Sequence, residues 1–244
     1  AGRVSYLGAR LAAFYERAGR VSCLGSPTRE GSITVVGAVS PPGGDFSDPV
    51  TAATLGIVQV FWGLSKSLAQ RKHFPSVDWN ISYTKYMGVL GPMFEKLAPE
   101  YGRLQNSIKR VLSEEASLTE IVQLVGKDSL SEDQKLTLEV ARIIREDFLQ
   151  QNAFSDYDYT CPLHKSVAVM RCIVHFYDNA VKTIEESPAE NKVTWALIRN
   201  ALEKEIVDIT ELKFKDPKMD PKELNDICDQ INANIEAKFE TLKA

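Results

Sequence analysis

Apolar positions recur along this chain in two rhythms, and the rhythm changes near residue 90. Leu7, Leu11, Phe14 and Tyr15 fall three and four apart, so a helix is expected over Tyr6–Arg17, with Gly19 as its stop. Arg20–Cys23 and Ser32–Val39 read as strands joined by a Gly-Ser-Pro-Thr-Arg-Glu-Gly turn. Pro49 suits a first helical position, and Thr51–Leu68 continues apolar with helix-compatible spacing until His73-Phe74-Pro75 breaks it. After Gly91-Pro92 the texture is helical throughout. Tyr101–Glu115, Leu118–Val125, Ser131–Leu149, Pro162–Glu186, Val193–Glu211 and Pro221–Leu242 each carry apolar residues three and four apart. Ser131-Glu132-Asp133-Gln134 has the form of a capping box, with acids placed to suit the helix dipole. In the last segment Leu224, Ile227, Ile231, Ile235, Phe239 and Leu242 form one stripe, preceded by breaks at Asp216-Pro217 and Asp220-Pro221. The expected fold class is α/β and then all-α: a truncated α/β unit over residues 1–90 followed by a helical bundle over 91–244.

Within the first part, Ser40-Pro41-Pro42-Gly43-Gly44-Asp45 opens from the β-branched run Ile33–Val36 and closes at Asp48-Pro49. Proline fixes φ while glycine permits angles that other residues avoid, so the loop is stiff and then permissive. Such a loop at a strand end is where an open α/β sheet places its ligand. A plain surface connection between two buried elements uses the same residue types.

Composition narrows the classes of function. With 44% hydrophobic and 25% charged residues and a net charge of −4, the chain is ordinary globular sequence, with no reason to propose nucleic acid or an anionic membrane as a partner. Cys23, Cys161, Cys172 and Cys228 are scattered without a Cys-x-x-Cys pair, which points to a reducing compartment rather than a disulfide or zinc framework. No apolar run approaches the ~18 residues of a membrane span, and residues 1–30 lack a secretory pattern. Asn80-Ile81-Ser82 matches a glycosylation acceptor, which carries no meaning in the cytosol. Ala1-Gly2-Arg3-Val4-Ser5 recurs as Ala18-Gly19-Arg20-Val21-Ser22, and one recurrence is not a structural repeat; no function is assigned to residues 1–5.

The familiar catalytic constellations are missing from the sequence. There is no nucleophile elbow and no His-Glu-x-x-His, and His73, His164 and His175 lack a supporting motif. His175 reads as a packed or half-exposed helix residue beside Cys172 and Phe176, and Glu114-Glu115 and Glu185-Glu186 as solvated faces. Gly-x-x-x-x-Gly-Lys-Ser/Thr is absent, so no catalytic residue and no metal ligand is assigned in this chain. Two aromatic segments remain. Phe74 precedes a proline that directs its ring, and Phe154 follows the polar Gln150-Gln151-Asn152-Ala153 at a helix end. A flat ring beside amides suits a planar base by stacking, while spacing alone favours two packed core rings.

Several long blocks then point to one family. Tyr6-Leu7-Gly8-Ala9-Arg10-Leu11, Val36-Gly37-Ala38-Val39-Ser40 through Pro49-Val50-Thr51, Arg71-Lys72-His73-Phe74-Pro75, Glu120-Ile121-Val122-Gln123-Leu124-Val125-Gly126 and Ile144-Arg145-Glu146-Asp147-Phe148-Leu149-Gln150-Gln151-Asn152-Ala153-Phe154 resemble, in family order, the catalytic A subunits of V-type ATPases. The texture is closer to the vacuolar than to the archaeal branch. The resemblance covers the C-terminal part of a RecA-like (P-loop NTPase) nucleotide-binding domain, residues 1–90, and the family's helical C-terminal domain, residues 91–244. The family's phosphate loop, catalytic glutamate and Walker B strand match nothing here. The ligands of Mg2+ are therefore expected outside this chain, and the arginine finger comes from the neighbouring B subunit.

Residue by residue, the resemblance implies that Phe74 and Phe154 bracket the adenine of ATP or ADP, with Gln151, Asn152 and Ala153 as pocket wall. Pro41, Pro42, Gly43, Gly44, Asp45 and Asp48 would belong to a loop near the nucleotide and the A/B interface. Asp128, Ser131, Glu132 and Asp133 resemble the acidic segment facing the central rotor. The implied partners are the B subunits of an alternating hexamer, the central rotor subunits and the peripheral stalk, with a membrane contacted only through the complex. The implied activity is ATP hydrolysis driving rotary proton transport, with the chain alone inactive, on the cytoplasmic face of acidic organelles such as vacuole, endosome or lysosome. The alternative is a truncated, non-catalytic paralogue acting as an interaction module.

Overall fold

Helix α1 (Gly2–Tyr15) fulfils the first periodic segment, and its chain returns through an antiparallel hairpin, β1 (Gly19–Ser22) against β2 (Glu30–Ile33), in the register Gly19↔Ile33. The computed structural model describes the backbone of residues 2–243 and the side chains of residues 6–188 and 190–243; Ala1, the first residue of the repeated pentapeptide, lies outside them. The strand expected over Ser32–Val39 stops at Ile33, because the hairpin ends there and Thr34–Val39 find no ladder partner among the described residues. Helix α2 (Pro49–Ile57) begins at the proline as expected. It does not continue to Leu68. Val58 turns extended, and the β-branched and aromatic Val60 and Phe61 form β3 (Val60–Phe61), paired antiparallel with β4 (Tyr83–Thr84). Between these strands lies α3 (Lys66–Gln70).

The helical part comprises α4 (Met87–Leu97), α5 (Tyr101–Val125), α6 (Glu132–Ile143), the short α7 (Asp156–Tyr159), α8 (Leu163–Glu186), α9 (Trp195–Ala201), α10 (Glu203–Glu211) and α11 (Pro221–Lys243). Two expected segments fuse into α5, since nothing between Glu115 and Leu118 breaks a helix. One expected segment divides into α9 and α10 at the fully buried Leu202. Another, Ser131–Leu149, changes from α-helix to a π-helix over Ile144–Leu149.

Packing separates the chain into residues 1–62 with 83–86, and residues 63–82 with 87–244. A single cut at residue 90 thus marks the change in sequence texture, whereas the packing units interleave. In the first unit Phe61 contacts Phe46 and Tyr83, with ring centroids 5.9 and 5.8 Å away, and the Tyr83 hydroxyl donates to the Leu55 carbonyl at 2.9 Å. In the second, Leu104, Ile108 and Leu112 of α5 meet Leu136 and Val140 of α6, Ile173 and Phe176 of α8, and Ile231, Ile235 and Phe239 of α11 in one core. Of the α11 stripe, Leu224, Ile231, Ile235 and Phe239 are buried, with Cys228 among them, and Ile227 and Leu242 are half-buried at its margin.

Candidate functional site

The segment carrying Phe74 is a closed loop. Ser65 N–H donates to the Ser76 carbonyl at 2.9 Å and Asp78 N–H to the Gly63 carbonyl at 2.7 Å, with Leu64 bridged to Val77, so the two limbs run antiparallel. Ser65 also caps α3, whose Leu68 is buried, and Leu68 offers its carbonyl to His73 N–H at 3.0 Å. Lys72, at φ 61°, turns the chain through the left-handed region, a conformation costly for a side-chain-bearing residue and concentrated at functional loops. His73 then points inward, 7% exposed with its ring 5.6 Å from that of Trp79. Phe74, preceding a cis Pro75, is 51% exposed.

A second loop meets the first. Gln151 N–H donates to the Phe74 carbonyl at 2.6 Å. The loop follows the π-helix, where Gln150 N–H reaches back to the Arg145 carbonyl at 2.9 Å, a wider turn characteristic of functional positions in helices. Asn152 N–H donates to the buried Asp158 carboxylate at 2.9 Å, and Asn152 Oδ1 accepts Phe154 N–H at 3.0 Å. Ser155 donates both N–H and hydroxyl to the Asn152 carbonyl. These bonds fix the backbone of the turn and leave the Phe154 ring fully exposed. The expectation from spacing alone, that both rings are core, fails for both. Two exposed aromatic rings on hydrogen-bonded loops, the second of which also carries Gln151 and Asn152, suit the binding of a flat heteroaromatic ring.

Positive charge surrounds the base of these loops. Burial first, then the charges of Arg71, Arg145 and Lys213, hold the His73 imidazole below its ordinary pKa, so it is neutral at pH 7. Burial raises Asp147, against the opposing pull of Lys213 and Arg142. Burial also lowers Lys165, whose charge is favoured by Cys161, Asp158 and Asp216. Lys165, Lys213, Asp158 and the inward His73 were not legible as site residues. Their partners are chiefly backbone carbonyls and amides, which leave no residue-type pattern in a sequence.

The other expected residues occupy definite structural positions. Pro41 and Pro42 lead into a short turn in which Gly43 and Gly44 adopt φ of 65° and 78°, angles that require glycine. Asp45 accepts the Ser47 N–H and hydroxyl, both at 2.8 Å, and these two bonds lower its pKa. Asp48 caps α2, accepting Val50 and Thr51 N–H at 3.2 Å. Asp128, Ser131 and Asp133 are exposed at the α5–α6 turn, and Ser131 N–H donates to Gln134 Oε1 at 3.1 Å as the capping-box pattern anticipates. Glu132 behaves differently. Its carboxylate accepts Lys135 Nζ at 2.8 Å and the Trp195 N–H at the start of α9 at 2.7 Å. Among the described residues no group of three or more His, Cys, Asp or Glu side chains is placed to hold a metal ion, and no helix is long and apolar enough to cross a membrane.

Comparison with known proteins accounts for both parts of the chain. Residues 2–84 match the nucleotide-binding domain of the ATP synthase alpha/beta family, and residues 90–194 match the C-terminal domain of V and A type ATP synthase. The chain is 55% identical over 244 residues to the V-type proton ATPase catalytic A subunit of Manduca sexta, covering 99% of this chain and 40% of that protein. For the catalytic A subunit of Dictyostelium discoideum the figures are 58% over 238 residues, 98% of this chain and 38% of the relative. For that of Cyanidium caldarium they are 61% over 216 residues, 88% and 37%. The chain belongs to the family of V-type ATPase catalytic A subunits.

The match to this family is continuous across both packing units, but the chain spans only about 40% of the length of these catalytic subunits. Among solved structures, the ATP synthase subunit NeqB of Nanoarcheaum equitans aligns with a TM-score of 0.57 at 24% identity, over 71% of this chain and 40% of that one, which supports the fold alone. The family order is the order seen here: nucleotide-binding sequence first, then the helical C-terminal domain that carries the Phe154 loop.

Proposed function

We propose that this chain supplies the adenine end of the ATP site of a V-type proton ATPase catalytic subunit, together with subunit contacts and rotor coupling. The observation that carries the reading is the bond from Gln151 N–H to the Phe74 carbonyl, which joins two loops whose aromatic rings both stay open to solvent. Stacking on such rings contributes about 1–3 kcal/mol per base and reads little beyond a flat π-face. The Gln151 and Asn152 amides and the small Ala153 then form the wall beside the base. These residues fit the adenine moiety of ATP or ADP. They offer no grouping for magnesium, so the phosphates and Mg2+ fall to residues outside this segment. ATP supplies the phosphoryl-transfer chemistry; this chain binds and orients the base, and on its own is inactive.

In this reading residues 1–90 are the C-terminal part of a RecA-like domain, and residues 91–244 the helical domain. The Pro41–Asp48 loop faces the B subunit. Its two aspartates shape that loop, by their internal hydrogen bonds, rather than acting as free charges. Asp128, Ser131 and Asp133 face the central rotor, with Glu132 bracing their turn against α9. The complex, held also by a peripheral stalk, hydrolyses ATP to pump protons and works peripherally on the cytoplasmic face of an acidic organelle. The test is ATPase kinetics of the assembled complex with Phe74→Ala and Phe154→Ala. Each substitution raises KM for ATP on the order of tenfold, as expected for one lost stacking face, and Phe→Tyr restores it. An unchanged KM in both alanine variants overturns the adenine assignment.

A further inference from the structure

The loop that presents Phe154 is tied at both ends to one short turn, Leu212–Phe214, between α10 and α11. At its start, Lys213 Nζ donates to the carbonyls of Glu146 and Gln150, at 3.1 and 2.8 Å, and so satisfies acceptors that the π-helix leaves open at its C-terminus. At its end, Lys165 Nζ donates to the carbonyls of Tyr157, Lys213 and Lys215 at 2.9, 2.6 and 2.8 Å. The Tyr157 ring stands edge-on to Phe214, with centroids 5.0 Å apart. Lys165 is only 3% exposed, and its ammonium has three donors, each matched to a carbonyl. A buried cation is retained only where its hydrogen bonds are complete, and here all three acceptors are backbone.

We infer that Lys165 and Lys213 are positioning residues: two ammonium groups in relay that clamp both ends of the Gln150–Asp158 loop to the Leu212–Phe214 turn, so that the Phe154 platform and the α10–α11 corner move as one body. The part that concerns adenine rests on the function proposed above; the clamp itself does not. Each lysine meets its partners in a way that dictates how substitutions behave. Lys213 is half-exposed and reaches two carbonyls, a geometry that arginine also satisfies. Lys165 meets three carbonyls converging on one compact head in a buried site, which the larger planar guanidinium of arginine cannot reproduce.

Hydrogen exchange on the full chain tests the clamp directly. In Lys213→Met the amides of Gln151 and Asn152, bonded to the Phe74 carbonyl and to Asp158, exchange on the order of tenfold faster, while α5 and α8 amides keep wild-type protection. Lys213→Arg restores slow exchange, and Lys165→Arg behaves like Lys165→Met. Wild-type exchange at Gln151 and Asn152 in Lys213→Met overturns the inference, and this variant decides the matter even where Lys165→Met does not fold. In the assembled ATPase, Lys213→Met raises KM for ATP and leaves kcat within about twofold, the split expected when binding shared equally by ground state and transition state is lost. If Phe74→Ala and Phe154→Ala raise KM but Lys213→Met does not, positioning of the base is overturned. If the two phenylalanine variants leave KM unchanged, the adenine reading fails instead, and the exchange result alone decides the clamp.

Discussion

Burial and three cations keep His73 uncharged directly before the residue that offers its ring to solvent. Its pKa is lowered in the folded state, so in the window below the ordinary value of 6.5 the unfolded chain binds the extra proton first. Stability therefore rises with pH through that window and falls on acidification. Urea midpoints measured across pH 5 to 7 should show this slope, and His73→Gln should flatten it; an unchanged slope in the variant would show that His73 is not its source. Glu132 has the same sign in a lower pH window, for a different reason. The Lys135 ammonium first, and then the Trp195 N–H, outweigh partial burial and hold its carboxylate below 4.5. Its stabilisation is complete above 4.5 and is lost as pH falls through the lowered folded-state value. Because the pair stays at the surface, with the Glu132 side chain 19% exposed, and because glutamine keeps an acceptor oxygen, Glu132→Gln costs about 1 kcal/mol. Glu132→Ala, which also orphans the first amide of α9, costs about 1 kcal/mol more. Chemical denaturation at pH 7 and pH 4 distinguishes the two: the cost of Glu132→Gln shrinks at the lower pH, and an equal cost at both would exclude the carboxylate charge as its origin. At this scale the sequence exposed what sits in a pattern, such as the Ser131–Gln134 box, and concealed what depends on distant backbone, such as Lys165 and Lys213.

Elements were legible where one strong local signal agreed with burial. Helix α11 shows its stripe, α8 its apolar face, and α2 its Asp48-Pro49 start, where Asp48 accepts two amides and the Thr51 hydroxyl. Asp48→Ala should cost about 0.5–2 kcal/mol, the usual range for a lost N-cap. The loss should appear as faster hydrogen exchange confined to α2 and its neighbours, and unchanged α2 protection would show that the proline alone fixes the start. The failures are equally physical. The Ser32–Val39 run has strand propensity but no ladder partner beyond Ile33 among the described residues, and propensity without a partner does not make a strand. The Thr51–Leu68 run was apolar enough for a helix, yet Val60 and Phe61 pair instead with Tyr83 and Thr84, a choice set by residues far along the chain. The π-helix at Ile144–Leu149 is the most consequential miss. The wider hydrogen-bonded turn leaves no mark in apolar spacing, yet it leads directly into Gln151, which bonds the Phe74 loop.

Across the whole molecule, cohesion is distributed unevenly. Every buried hydrophobic side chain among the described residues belongs to the unit of residues 63–82 and 87–244. Among the described residues of the unit 1–62 and 83–86, the buried side chains are Thr51 and Thr54, while Leu24, Val36 and Trp62 stand largely open. A region without buried apolar contacts opens at low free energy, whereas a packed core opens only with global unfolding. Unfolding of this chain should therefore not be two-state. Amides of α1, β1 and β2 should exchange near the rate of unfolded peptide, while those of α5, α8 and α11 approach full protection. Limited trypsin digestion should cut first at Arg17, Arg20 and Arg29, exposed positions in or beside the β1–β2 hairpin, and leave a resistant product that retains α5 to α11. The exposed apolar side chains of the first unit should also make the intact chain associate, and the trypsin-resistant product should lose that tendency in light scattering. A single cooperative transition reported alike by exchange and by digestion would show that the first unit draws its stability from the helical core. The expected outcome is the reverse: the helical unit, with the Phe74 and Phe154 loops bonded to each other, holds together while residues 1–62 open.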